Sequence, residues 1–239
     1  MKTLGLIGGV SWVSTINYYY YINEHINKEL GGLNYAQCLI YSFNYNEIKK
    51  RNDAADFKGT TELIVDACNK LKSIGAEAIV LCANTMHMCA EEIEERVGLP
   101  LVHIAKATAA AVKEKQLTKV GLLGTKFTME QDFFKEKLTA QGISTIIPGD
   151  ADRLFVHEVI FAELGKGYAS PESKDRFLEI VLKLIEDGAE GIILGCTELP
   201  LVVMEDDVPV PIFDTTKIHA MAAVEFALGK DVVIWADDD

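Results

Sequence analysis

Five cysteines, Cys38, Cys68, Cys82, Cys89 and Cys196, are spread along the 239 residues, and two of them stand in matching places. Cys82 directly follows the apolar run Ala78-Ile79-Val80-Leu81, and Cys196 follows Ile192-Ile193-Leu194 after one glycine, Gly195. Each apolar run reads as a strand and each cysteine as its carboxyl end, just before a helix. In open α/β sheets that edge is where ligands bind. A helix N-terminus favours a thiolate and offers free N–H groups to a carboxylate. Asn84, Thr85 and Thr197 can cap or donate hydrogen bonds there. Two such thiols approaching one ligand from opposite sides suit one task in particular, the inversion of a carbon centre by proton transfer. One thiolate takes the proton and the other thiol returns one. With an ordinary pKa of about 8.5, a thiol is readily poised in either state. Cys38, Cys68 and Cys89 have no such placement and read as small buried hydrophobes. No cysteine pair has CxxC spacing, and His25, His87, His103, His157 and His219 form neither HxH nor HExxH, so no metal site is expected.

The elements that must position these thiols alternate strand and helix. The sequence predicts strands at residues 4–7, 36–42, 78–81, 100–104, 120–124, 145–147, 191–194 and 210–213. It predicts helices near residues 14–30, 60–73, 90–97, 105–115, 129–141, 154–164, 174–187 and 216–228. Such alternation means parallel sheets covered on both faces. The order repeats. Gly5-Leu6-Ile7-Gly8 matches Gly121-Leu122-Leu123-Gly124 at an offset of 116 residues. The segment Gly75-Ala76-Glu77-Ala78-Ile79-Val80-Leu81 matches Gly188-Ala189-Glu190-Gly191-Ile192-Ile193-Leu194 at 113, and Pro100-Leu101-Val102 matches Pro211-Ile212-Phe213 at 111. Three matches in the same order point to two similar lobes, with a period far too long for a solenoid.

Composition sets the outer bounds. Apolar residues make up 49% and charged residues 25%, as in ordinary globular proteins. A chain of this size buries roughly 70% of its unfolded surface and needs no disulfide or metal staples. The formal charge of −13 argues against nucleic acid and against an anionic membrane surface as partners. The start of the chain is too weakly apolar for a signal peptide, and no run approaches ~18 apolar residues. The expectation is a cytoplasmic protein with reduced thiols.

The residues around both cysteines resemble a known family. Ile79-Val80-Leu81-Cys82-Ala83-Asn84-Thr85-Met86-His87 and Ile192-Ile193-Leu194-Gly195-Cys196-Thr197-Glu198-Leu199-Pro200 are similar to the two signatures of the aspartate/glutamate racemases. Gly8-Gly9-Val10-Ser11-Trp12-Val13-Ser14-Thr15 resembles the family's glycine-turn segment. Gly124-Thr125-Lys126-Phe127-Thr128-Met129 and Phe213-Asp214-Thr215-Thr216-Lys217-Ile218-His219 resemble its aspartate racemase branch, so the likeness runs from residue 1 to about 229. The resemblance implies an isomerase, a PLP-independent amino-acid racemase of an acidic amino acid, working without a cofactor. It implies two α/β lobes, each a parallel sheet flanked by helices, related by pseudo-two-fold symmetry with the active site between them. The first lobe would comprise residues 1–100 plus 208–230 and the second residues 101–207, with a tail at 231–239. Cys82 and Cys196 would be the acid/base thiols. Asn84, Thr85, Thr125 and Thr197 would bind the α-carboxylate or ammonium group. A homodimer is implied, because family members are commonly dimers.

A dicarboxylate substrate also needs a cation. Lys166 resembles a family lysine in that role, and Arg51 or its neighbour Asn52 is a second candidate. The aspartate branch usually carries Met and Glu where this chain has Val10 and Val13, beside Ser11 in the glycine turn. Glu198 reads either as tuning Cys196 or as a helix N-terminal charge, and His219, after a strand end, either as reaching the cleft or as a capping or packing residue. Tyr18 to Tyr21 point in all directions on a helix, which reads as core plus interface. Three alternatives stand beside the racemase. A related enzyme of the hydantoin racemase or maleate isomerase type would keep both cysteines, whereas an arylmalonate decarboxylase needs only the second. A nucleotide-binding dehydrogenase would need a third glycine where Val10 stands. A non-catalytic, two-lobed binder of an acidic amino acid would be compatible with Val10 and Val13.

Overall fold

The structure, a computed structural model, describes residues 1–230. The tail containing Val232-Val233-Ile234-Trp235 and Asp237-Asp238-Asp239, read from sequence as an edge strand or a frayed end, lies outside the described residues. The described residues divide into two compact units, residues 1–103 with 219–230, and Ile104–Ile218.

The first unit runs β1 (Leu4–Gly8), α1 (Trp12–Leu30), β2 (Cys38–Ser42), α2 (Tyr45–Asp53), α3 (Phe57–Ser73), β3 (Ala78–Leu81), a 3-10 turn (Asn84–Cys89), α4 (Ala90–Val97) and β4 (Leu101–Val102). Its sheet is wholly parallel in the order β2-β1-β3-β4, with Ile7 level with both Tyr41 and Leu81. β1 and β3 are buried at every residue, which is why they read as unbroken apolar runs rather than alternating ones. One core is built from Ile7, Ile79 and Leu81 of these strands, Ile64, Cys68 and Leu71 of α3, and Ile93 and Val97 of α4.

The second unit repeats the plan: α5 (Ile104–Glu114), β5 (Lys119–Gly124), α6 (Lys126–Glu130), α7 (Asp132–Thr139), β6 (Ser144–Ile146), α8 (Asp150–Ala162), α9 (Pro171–Glu186), β7 (Ile192–Gly195) and β8 (Ile212–Asp214). Its parallel sheet has the corresponding order, β6-β5-β7-β8. Leu123, Leu194, Phe177 and Leu184 join one apolar cluster, and Val120, Leu122, Phe134 and Ile193 another. α10 (Thr215–Ala227) starts in this unit and belongs to the first unit from His219.

Three elements differ from the sequence reading. α2 was not foreseen, because only Ile48 of its residues is buried and its polar sequence carries no apolar stripe. The single helix expected at 129–141 is two, since Gln131 adopts an extended backbone (ψ 158°) between α6 and α7. The strand expected at 100–104 is only Leu101–Val102, and Ile104 already begins α5.

Candidate active site

Most candidate residues lie at the carboxyl ends of the two sheets, each set within its own unit. In the first unit, β3 delivers Cys82, and the 3-10 turn that follows carries Asn84 and Thr85. β1 ends beside it in the turn Gly9-Val10-Ser11. Gly9 has φ +85°, and a Cβ there would collide with the backbone of Phe43, so only glycine lets the chain pass β2 so closely. Ser11 caps α1, accepting from Ser14 N at 3.5 Å, and Val10 packs against the first core. Its apolar contact accounts for an aliphatic residue at that position.

Cys82 is fully buried, and its Sγ donates to the Val80 carbonyl at 3.8 Å. Burial, with a smaller contribution from the Cys38 thiol, pushes the Cys82 pKa far above the ordinary thiol range. Arg51 and Asn52 lie in the last turn of α2. Arg51 Nη1 donates to Asp56 Oδ2 at 2.7 Å, and Asn52 Oδ1 accepts from Thr60 Oγ1 at 3.0 Å. Asp56 also caps α3, accepting from Gly59 N at 2.9 Å. The Arg51 side chain is therefore held by Asp56 and remains 40% exposed.

In the second unit, β7 ends at Gly195 and presents Cys196, Thr197 and Glu198 in sequence. Glu198 Oε2 accepts from both Cys196 Sγ and Thr197 Oγ1 at 2.8 Å. The Cys196 thiol is pushed well up, first by burial and then by the negative charge of Glu198. Both shifts favour the protonated thiol, and among the described residues Cys196 is the one of the two that hydrogen-bonds to a carboxylate. Thr125, after β5, caps α6, with its Oγ1 3.4 Å from Thr128 N and 3.2 Å from Thr128 Oγ1. Lys166 ends a short 3-10 turn, Leu164–Lys166, after α8. Glu163 closes that loop by accepting from Ser170 N at 2.8 Å and Ser173 Oγ at 2.9 Å. Lys166 is exposed, while Leu164 beside it is buried in the cluster against which Cys196 packs.

His219 is fully buried in the first unit, as its packing reading expects. Its Nε2 is 2.7 Å from the Val102 carbonyl, which can only accept, so Nε2 carries the proton. Nδ1 then accepts from Tyr18 OH at 2.7 Å. The His87 ring lies 5.2 Å from His219 and 5.0 Å from His103, and burial lowers the pKa of His87 to about 4 and that of His219 well below the ordinary range. The three rings are buried together, and the lowered pKa values keep His87 and His219 neutral. Tyr18 is core, whereas Tyr19 and Tyr20 are exposed.

Sequence reasoning passed over Ser14 and Thr15, whose hydroxyls contact the ends of β3 and β1. Ser14 Oγ donates to the Cys82 carbonyl at 2.6 Å, and Thr15 Oγ1 accepts from Gly9 N at 2.8 Å. The signal was present as a double glycine followed by closely spaced hydroxyl residues.

Comparison with known proteins places nearly the whole chain in one family. The Asp/Glu/Hydantoin racemase family model matches residues 7–223. A Yersinia pestis protein provisionally assigned as an Asp/Glu racemase superposes with a TM-score of 0.92 at 48% identity, covering 95% of this chain and all (100%) of that one. An aspartate racemase homologue from Pyrococcus horikoshii superposes at 0.84 with 35% identity, again over 95% and 100% of the two chains. The broad specificity amino-acid racemase RacX of Bacillus subtilis is 25% identical over 224 residues, 92% of this chain and 96% of its own.

Proposed function

The chain belongs to the Asp/Glu/hydantoin racemase family, and on that premise we propose that it is a PLP-independent racemase interconverting L- and D-aspartate, L- and D-glutamate, or both. Cys82 and Cys196 are the two thiols of this reading. The observation that carries it is the pair of cysteines at corresponding strand ends, one hydrogen-bonded to a carboxylate at 2.8 Å.

In one direction the Cys196 proton passes to Glu198, and the thiolate takes the Cα proton. The electron pair of the broken C–H bond is held on the substrate as an enolate of its α-carboxylate. The Cys82 thiol then returns a proton to the opposite face and is left as the thiolate. In the reverse direction that thiolate takes the Cα proton, the Cys196 thiol protonates the other face, and the Cys196 thiolate recovers its proton from Glu198. Asn84, Thr85, Thr125 and Thr197 bind the α-carboxylate and ammonium groups. The exposed part of Arg51 and the Lys166 side chain take the distal carboxylate, which supports an acidic substrate over a neutral one. No cofactor enters these steps.

The test is incubation with each enantiomer of aspartate and of glutamate in deuterated water with no cofactor added. Inversion with deuterium at Cα is expected. Binding without exchange would instead make the protein an acidic amino-acid binder. The same reading takes the protein as a cytoplasmic homodimer. Trp12, Ile16, Tyr19 and Tyr20, exposed along α1, offer the apolar surface a second copy would cover.

A further inference from the structure

The β1–β3 ladder breaks at Cys82 in a specific way. Cys82 N donates to Ile7 O at 2.8 Å, continuing the register in which Ile7 is level with Leu81. In a parallel pair the next bond would run from Gly9 N to the Cys82 carbonyl. It is not formed. Gly9 N donates instead to Thr15 Oγ1 at 2.8 Å, and the Cys82 carbonyl accepts from Ser14 Oγ at 2.6 Å. Two neighbouring hydroxyls in the first turn of α1 therefore replace one backbone bond, one serving its donor and the other its acceptor. Neither backbone group is left unpaired, and the two strands are free to part at the thiol. Ser14 and Cys82 are both buried, so water is a poor substitute for that donor.

We propose that Ser14 is a positioning residue for Cys82, fixing the peptide from which the thiol projects where the sheet no longer does so. The catalytic part of this proposal rests on the racemase reading above. Without the hydroxyl the Cys82 carbonyl must turn to find a donor, and the thiol moves with it. Proton transfer on the Cys82 side then slows, while the Cys196 side keeps its geometry.

The experiment compares wild type with Ser14→Ala and Ser14→Thr. Racemisation is followed from L- and D-aspartate carrying hydrogen or deuterium at Cα. Native alkylation of Cys82 and Cys196 by iodoacetamide is followed in parallel by peptide mass spectrometry. Ser14→Ala is expected to lower kcat/KM about 10- to 100-fold, equally from both enantiomers because the equilibrium constant is unity. The substrate isotope effect should rise for the enantiomer whose proton goes to Cys82 and fall for the other. The rate of Cys82 alkylation relative to Cys196 should change about fivefold or more. Ser14→Thr should recover both readouts to within about threefold of wild type.

Isotope effects that stay matched while the folded fraction falls would make Ser14 merely structural and overturn the proposal, as would an unchanged alkylation ratio. If wild type exchanges no α-proton, the racemase reading fails, while the alkylation ratio still decides whether Ser14 holds Cys82. Should Ser14→Ala not fold, a folded Ser14→Thr that lacks recovery overturns the proposal.

Discussion

The thiols of the two units end corresponding strands but are held differently. Counted along the repeat, the residue equivalent to Cys82 is Gly195, not Cys196. Position 82 accepts a side chain within the last ladder step. At Gly195 a Cβ would sit 2.8 Å from Leu123 O and 3.0 Å from Thr128 Cγ2, so the second unit has no room for one. Its thiol is displaced by one residue, past the ladder, and there Glu198 folds back onto it at 2.8 Å. Cys82 instead directly follows the last strand residue, with a carbonyl held by a hydroxyl and, among the described residues, no carboxylate contributing to its shift. Repetition of the fold thus gives similar placement without equal chemistry. One thiol is hydrogen-bonded to a carboxylate, and the other to a backbone carbonyl.

Both thiols are nonetheless required by the proposed reaction, so the largest effect is shared. Cys82→Ser and Cys196→Ser should each lower racemisation at least about a thousandfold, because a serine hydroxyl is far too weak an acid to alternate between donor and base. Chiral chromatography of the products measures this, and near-normal activity in either variant would remove that cysteine from the mechanism.

The next effect belongs to the first unit. His87 and His219 are buried and neutral in the folded protein, whereas in the unfolded chain they titrate near 6.5. Below that pH the unfolded state gains protons that the folded state refuses, so stability is full above about 6.5 and is lost as pH falls toward 4. The slope is about 1.4 kcal/mol per pH unit for each histidine. Carboxylates with lowered pKa, such as Glu163 and Glu190, keep their stabilising contribution down to their ordinary value of 4.5 and lose it only below that, so they do not shape this range. Melting temperature should therefore drop between pH 6.5 and 5, and His219→Gln should flatten that drop. A wild-type profile flat over this range would contradict the two buried neutral histidines.

The smallest effect isolates the second thiol. Glu198→Gln removes the negative charge that raises the Cys196 pKa, so the pH midpoint of Cys196 alkylation should move down while that of Cys82 stays. Its kcat should fall about tenfold, because the amide cannot take the proton. Equal movement of both midpoints would erase the contrast between the thiols.

Much of this was legible in the sequence for a physical reason. Central parallel strands buried on both faces are nearly pure apolar runs, so 78–81 and 191–194 announced themselves, and each thiol's place at a strand end followed. α2 was hidden because its nine residues bury only Ile48. A packing role for His219 was open in the sequence, but its partners Tyr18 and Val102 were hidden because α10 is apolar nearly all round, and no periodicity shows which neighbour meets a given ring. Ser14 was visible as a helix-turn hydroxyl, but its bond to Cys82 spans 68 residues and exists only once the sheet has formed. Glu198 was the exception, since a carboxylate two residues from a thiol needs only a tight turn to reach it.

The Tyr18–His219 hydrogen bond also sets an order of assembly. Its partners are 201 residues apart in the chain, and the whole second unit, Ile104–Ile218, is synthesised between them. During translation the second unit is therefore complete while the first still lacks the histidine that fills its interior and bonds Val102. The unit begun first is the one finished last. Nascent chains should bury Tyr18 only after His219 has left the ribosome, which makes the first unit's interior the part of the protein longest exposed to chaperones.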